Sequence, residues 1–273
     1  MFGRVMELHF GVPGQTGRRV TGLRMAAHVE MDRSSTANRA VITVWGASDA
    51  TAGAVQQEGV VVRLLAGHRD SGVRQIFTGK PIKHGIRPTI DNGNQRVLVI
   101  EATDAGVDIA GAHVTLARAT ASSAAAVLTD LTSQLGLPIG EVVLPDDVAW
   151  PYGVNLTGPV GDALDRIVAA TGGDWFVRDG ALYVLGAGRG VTEEASVYST
   201  TEPLRNLVGE PTPTKEGVEV TVLCDPAMRP GRPFTVHSER VTGTYVARDV
   251  VFDLDSGFDN VFYTRVTGRP RAV

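Results

Sequence analysis

One cysteine and one histidine flank a turn in GVEVTVLCDPAMRPGRPFTVHS, residues 217–238. A thiol within reach of an imidazole is the minimum for a nucleophile and its base. Cys224 ends the first strand-like run and His237 closes the second. No third group stands ready to orient the imidazole, and no helix N-terminus is at hand to lower the thiol's pKa. The competing reading is a small apolar cysteine at a strand end, and the lack of supporting groups favours it.

The other candidate constellations fail on spacing. His9, His28, His68, His84, His113 and His237 include no H-x-x-x-H pair, and a single cysteine allows no C-x-x-C, so zinc has no ligand pattern. DLDSGFDN offers Asp253, Asp255 and Asp259. A calcium loop needs glycine sixth and glutamate twelfth, whereas here glycine is fifth and Thr264 is twelfth. GAGRG at 186–190 follows a strand as a phosphate loop does, but no helix follows to receive the phosphate. Asp146-Asp147 are adjacent loop carboxylates without the fixed separation that glycoside hydrolysis requires. No catalytic, cofactor-binding or metal-ligating residue is expected, and no cofactor.

The elements around these residues are mostly strands. The chain has 273 residues, 43% hydrophobic and 21% charged, enough for a core and for about two domains. Thirty-two glycines and fourteen prolines point to many short strands and turns. The net charge of −4 gives no electrostatic support for direct nucleic-acid recognition. One cysteine needs no oxidising compartment. MFGRVMELHFGVPG lacks the pattern of a signal peptide, and no run approaches a membrane span, so synthesis in the cytoplasm and no stable membrane insertion are expected.

Residues 4–118 read as β. Leu23, Met25, Ala27, Val29 and Met31 alternate onto one face, a short helix fits SDATAGAVQQEG, and Asp91-Asn92-Gly93-Asn94 is a turn between strands. Short strands with turns and no long helix suggest a sandwich or barrel. From about Thr120 the character changes. Ser122 or Ser123 can cap a helix whose stripe is Val127, Leu128, Leu131 and Leu135, stopped at Gly136. A second helix starts at Gly158-Pro159, with proline in its first turn, and carries Val160, Ala163, Leu164, Ile167 and Val168 until Gly172-Gly173. DWFVRDGALYVL is a hairpin with Asp179-Gly180 as a type I′ turn. That turn pairs Trp175 with Val184 and Val177 with Leu182, a face able to cover Val127, Leu131, Leu164 and Ile167. From about Val197 strands return, and no repeat links the two β-rich parts. The expected fold class is mainly β with an α+β insertion: residues 1–118, 119–190 and 191–273.

The order of motifs resembles phage tail baseplate hub proteins, the late control D and gp27-like family. G-x-x-V-x-L-x-A-G and I-F-x-G-x-I stand at 59–67 and 76–82, with VLVIEATDAG after them. VGDALDRIVAATGGDWFVRDGALYVLG is similar to that family's helix-plus-hairpin. G-x-P-x-x-T-x-x-G-V at 209–218 and L-x-x-P-x-x-x-P-G at 223–231 are the most specific matches. The family's G-D-N near the last hairpin stands here as Gly257-Phe258-Asp259-Asn260. The resemblance implies two tail-tube-like β-barrel or sandwich domains flanking the helix-plus-hairpin domain, in a structural, non-enzymatic virion protein. It implies a homotrimer that adapts a sixfold tail tube or distal tail protein to a threefold tail spike protein. Tape measure and other baseplate proteins are further partners in that assembly. Two alternatives belong to other classes: a tail-associated cell-wall hydrolase, which would need a placed acid/base pair, and a secretion-system ring component, which would carry a signal peptide.

Overall fold

The computed structural model describes residues 3–90, 95–104, 112–135, 138–186, 188–201, 204–257 and 261–272. The Asp91–Asn94 turn, the Leu135 side chain, Gly136 and Phe258-Asp259-Asn260 lie outside the described residues.

Alternation builds one large sheet from both β-rich parts. Its spatial order runs Thr212–Pro213, Val218–Leu223, Phe262–Pro270, Thr242–Asp255, Met25–Met31, Arg39–Trp45, Arg96–Thr103, Gly72–Ile90, Val61–His68, Arg4–Gly11 and Arg18–Val20. Pro233–His237 also pairs with Thr242–Asp255, and Ser196–Ser199 lies parallel to Pro233–His237. The seam between the parts is antiparallel, from Val250 opposite Met31 to Asp255 opposite Ala26. Met25, Ala27, Val29 and Met31 are buried as their period of two requires, while Leu23 lies outside the strand and is exposed. Val250, Phe252 and Leu254 join them in one core that continues from Met6 to Val266. Helix α1, Asp49–Val55, is capped by Ser48 and buries Ala54 and Val55.

The middle of the chain has its own core. Helix α2, Ala124–Leu135, and helix α3, Val160–Ala170, cover the hairpin Gly173–Arg178 and Ala181–Gly186, with Ile139–Val143 parallel to its second strand. Trp175, Val177, Leu182 and Val184 share one cluster with Val127, Leu131, Leu164 and Ile167, the packing expected from the stripes. Asp179 and Gly180 have φ of 51° and 84°, as a type I′ turn demands. Gly172, at φ 70°, ends α3. Two details differ from expectation. Pro159 stands one residue before α3, not in its first turn: it is still extended and still paired with His113, and Val160 is the first helical residue. His113–Arg118 pairs with Val154–Pro159 and buries Val114 and Leu116 in this middle core, not in the large one.

Candidate functional site

Cys224 and His237 are held apart by the sheet. Cys224 follows Val218–Leu223 and donates its backbone N–H to Phe262 O at 3.1 Å. His237 closes Pro233–His237, between Ser199 and Thr242, and is exposed. The groups that act on the thiol are Asp225, Thr264 and Arg229. Burial first, and then the Asp225 carboxylate, push its pKa up to about 12. A thiol in that state is inert. At pH 8 only about one part in ten thousand would be thiolate. A thiol reagent should therefore leave the native protein unlabelled and label one site per chain in denaturant; rapid native labelling would contradict the burial.

The residues that follow Cys224 form a corner rather than a catalytic loop. Asp225 organises it: its carboxylate accepts from Tyr198 Oη at 2.8 Å, Ser196 Oγ at 3.0 Å and Ala227 N at 2.9 Å. Arg229 then reaches into all three parts of the chain. It is 5% exposed. Its Nε donates to Asp179 Oδ2 at 3.2 Å, at the hairpin turn. One terminal nitrogen donates to Pro226 O at 3.2 Å and Met228 O at 2.7 Å, within the corner, and the other donates to Gln75 O in Gly72–Ile90. Gly231 has φ 82°, and a Cβ there would stand 2.9 Å from Phe176 Cζ, so only glycine lets the corner close on the hairpin. Phe176, Leu185 and Val191 form a small apolar cluster beneath it.

Further polar groups complete this junction. The Arg33 guanidinium donates to Arg189 O at 2.7 Å, Leu185 O at 3.0 Å and Gly186 O at 2.7 Å. Asn38 is buried and donates to Asp104 Oδ2 at 2.6 Å and to Val177 O at 3.1 Å. Arg178 pairs with Glu193 at 2.7 Å, and Arg232 donates to Ala227 O at 2.9 Å and Glu194 O at 3.2 Å. Guanidinium suits such places because its planar fork of donors can satisfy several carbonyls at once. The arrangement binds its own backbone. What it can do is hold the hairpin, the corner and the first β part in one fixed relation.

The remaining candidate residues are spread across the fold. Asp147 caps α2, accepting from Ala125 N at 3.0 Å, while Asp146 is exposed beside it. Asp253 accepts from His28 at 2.6 Å and Arg265 at 3.1 Å, and Asp255 pairs with Arg24 at 2.8 Å. Asp259 lies outside the described residues. In GAGRG, Gly188 has φ 71° and accepts from Ala272 N; Ala187 is not described, and no helix follows. Among the described residues no group of three or more His, Cys, Asp or Glu is placed to hold a metal ion. No helix among them is long and apolar enough to cross a membrane. His9 pairs with Glu7 at 2.9 Å, and His84 and His113 are exposed.

His68 is the exception among the histidines. It is 3% exposed, packs edge-on against Phe262 with centroids 5.1 Å apart, and has no partner on either ring nitrogen among the described residues. Burial, helped by the positive charge of Arg4, lowers its pKa. A lowered pKa means that the unfolded chain takes up the proton first. The His68 contribution to stability is therefore complete above the ordinary imidazole value of about 6.5 and is lost as pH falls through the lowered folded value. His28 runs the other way: against burial, its hydrogen bonds to Asp253 and Glu30 raise its pKa. Denaturation of the wild type and of His68→Phe at pH 7.5 and pH 5 separates the two. The wild type should lose more stability on acidification; equal losses would mean that His68 protonates freely in the fold.

The arginine junction was not legible as a motif. Pro226, Pro230 and Gly231 mark the corner, but no periodicity announces a buried Arg229, Arg33 or Asn38.

A tail protein of Neisseria meningitidis MC58 superposes with a TM-score of 0.68 at 12% identity, covering 98% of this chain and 97% of that one. The 43 kDa tail protein of prophage MuSo2 from Shewanella oneidensis gives 0.64 at 9% identity, covering 97% and 98%. An E. coli protein gives 0.61 at 10% identity, covering 96% and 77%. It is described as a type VI secretion system component with structural similarity to the T4 tail proteins gp27 and gp5. At these identities the likeness is one of fold. No curated protein matches the sequence. The sequence pattern of the family described as baseplate hub gp41 matches residues 19–268, a span that takes in the seam, the middle core and the arginine junction. The chain therefore belongs to the baseplate hub gp41 family of structural phage tail proteins.

Proposed function

We propose that this hub protein is a symmetry adapter. Three copies close a ring, and each contributes two tube-like β units, residues 1–118 and 191–273, on either side of the 119–190 unit. Six β units then face a sixfold tail tube or distal tail protein, and the threefold face receives the tail spike. The first boundary falls best before His113, because Val114 and Leu116 belong to the middle core. Heterologous contacts close such a ring.

The observation that carries this reading is the seam. Six residue pairs, from Val250–Met31 to Asp255–Ala26, join the two β parts in one sheet over one core. Two β units fused this way cannot turn independently, so each copy brings a fixed angular spacing to the ring. Arg229 and Arg33 fix the middle unit on the same frame. The adapter works by shape, and we assign it no catalytic residue and no cofactor. In this reading it is made in the host bacterial cytoplasm and carried in the virion baseplate. Tape measure and other baseplate proteins surround it there, without direct nucleic-acid recognition and without membrane insertion. The fold shared with the E. coli secretion component fits a ring common to both machines, and the family match favours the tail.

Native mass spectrometry of the purified chain, alone and with its spike protein, tests the ring. The expected species in at least one case is three times 28.9 kDa. A monomer in both would overturn the reading.

A further inference from the structure

The strand Gly72–Ile90 is interrupted by a bulge. Its register against Arg96–Thr103 runs from Pro81 opposite Ala102 directly to Ile86 opposite Ile100, so residues 82–85 are thrown out of the ladder. The bulge is built in. A Cβ on Gly79 would stand 2.2 Å from Thr103 O, and one on Gly85 would stand 2.8 Å from Glu101 O, so both glycines press against the neighbouring strand. His84 takes φ 62°, a left-handed conformation uncommon for residues other than glycine. Such bulges re-aim side chains at sites of contact. This one presents Ile82, Lys83 and His84 to solvent over a groove of about 630 Å³, whose other wall is the end of α1 and residues 56–60. Lys80, Lys83 and His84 line the groove, with Glu58 as its acid.

Charge is divided unevenly along the chain. Residues 1–112 hold thirteen Lys and Arg against ten Asp and Glu, a formal charge of +3. Residues 113–190 hold four against eight, a charge of −4. Asp146, Asp147, Asp162 and Asp165 of that middle unit are exposed. Within one copy the two parts meet through the arginine junction, not through this groove.

We propose that residues 80–86, with the groove beside them, dock on the acidic middle unit of a second copy of this chain. The inference rests on the ring reading and names a contact that closes it. An aliphatic Ile82 flanked by cations meets a surface of opposite charge, which sets orientation and register as complementary potentials do. Because the cationic and acidic faces are different surfaces, the contact is head-to-tail and repeats around a ring.

The chain has three lysines, Lys80, Lys83 and Lys215, which makes the contact directly readable. Isotopically light and heavy copies are mixed, allowed to assemble and treated with a zero-length carbodiimide. The expected product joins Lys80 or Lys83 of one copy to a carboxylate within residues 119–190 of the other. Lys83→Glu should raise the dissociation constant for self-association about tenfold or more and flatten its salt dependence, with an unchanged thermal melt. Reversing the crosslinked carboxylate to lysine in that variant should restore association. Crosslinks from these lysines only within one copy, only to residues 191–273 of the other, or only to another protein would each overturn the contact. So would an oligomer indifferent to Lys83→Glu, which would leave the ring reading standing. A chain that never self-associates, alone or in the particle, would remove both.

Discussion

Arg229→Ala is expected to destabilise the protein by about 3–5 kcal/mol, the cost of removing one partner from a buried ionic network. The substitution leaves Gln75 O, Pro226 O and Met228 O without their guanidinium donor and leaves Asp179 with Arg178 alone, 4.0 Å away. Burial lowers the pKa of the guanidinium, and a charge taken out of water needs the hydrogen bonds that surround it here. Arg229→Lys should recover little of the loss, because one ammonium cannot reach acceptors in three directions. Urea denaturation followed by tryptophan fluorescence measures the difference. A loss within about 0.5 kcal/mol, the ordinary range for surface substitutions, would mean that the junction does not hold the three parts together.

Leu164→Ala is expected to cost about 2–5 kcal/mol, the range for truncating a buried leucine to a cavity. Leu164 is fully buried at the centre of the α3 stripe, against the face that carries Trp175, Val177, Leu182 and Val184. Its effect should centre on the middle unit, so the Trp175 environment should report it. The indole Nε1 donates to Asp165 Oδ1 at 2.6 Å, one residue beyond the mutated position. A thermal melt unchanged within error would show that the helix can close the cavity completely.

The middle unit was the most legible part of the sequence. Its signals are local: a 3.6-residue stripe on each helix, and an Asp-Gly turn that sets the hairpin register and therefore which residues face the helices. The strand positions from Met25 to Met31 were legible for the same reason, since alternation assigns a face without reference to any partner. What those positions pair with was not legible. The seam with Thr242–Asp255 spans more than two hundred residues of sequence, and a strand buried on one face reads alike whichever neighbour it takes. The bulge at 82–85 was hidden too, because what Gly79 and Gly85 press against is the strand Arg96–Thr103, which only the fold brings beside them. Cys224 and His237 stand out by residue type, yet the residue that ties that corner to the rest of the fold is Arg229, which lies between the two strand-like runs. A long cation carries no periodic signal, and only the carbonyls around it reveal its role.

A density map of the assembled tail tip decides whether the chain acts as a symmetry adapter. Three copies of this chain are expected around one axis. Each should contribute two β units to a near-sixfold face against the tail tube, with the spike on the opposite, threefold face. Six copies in a ring, a single copy, or β parts that do not alternate around the axis would contradict it.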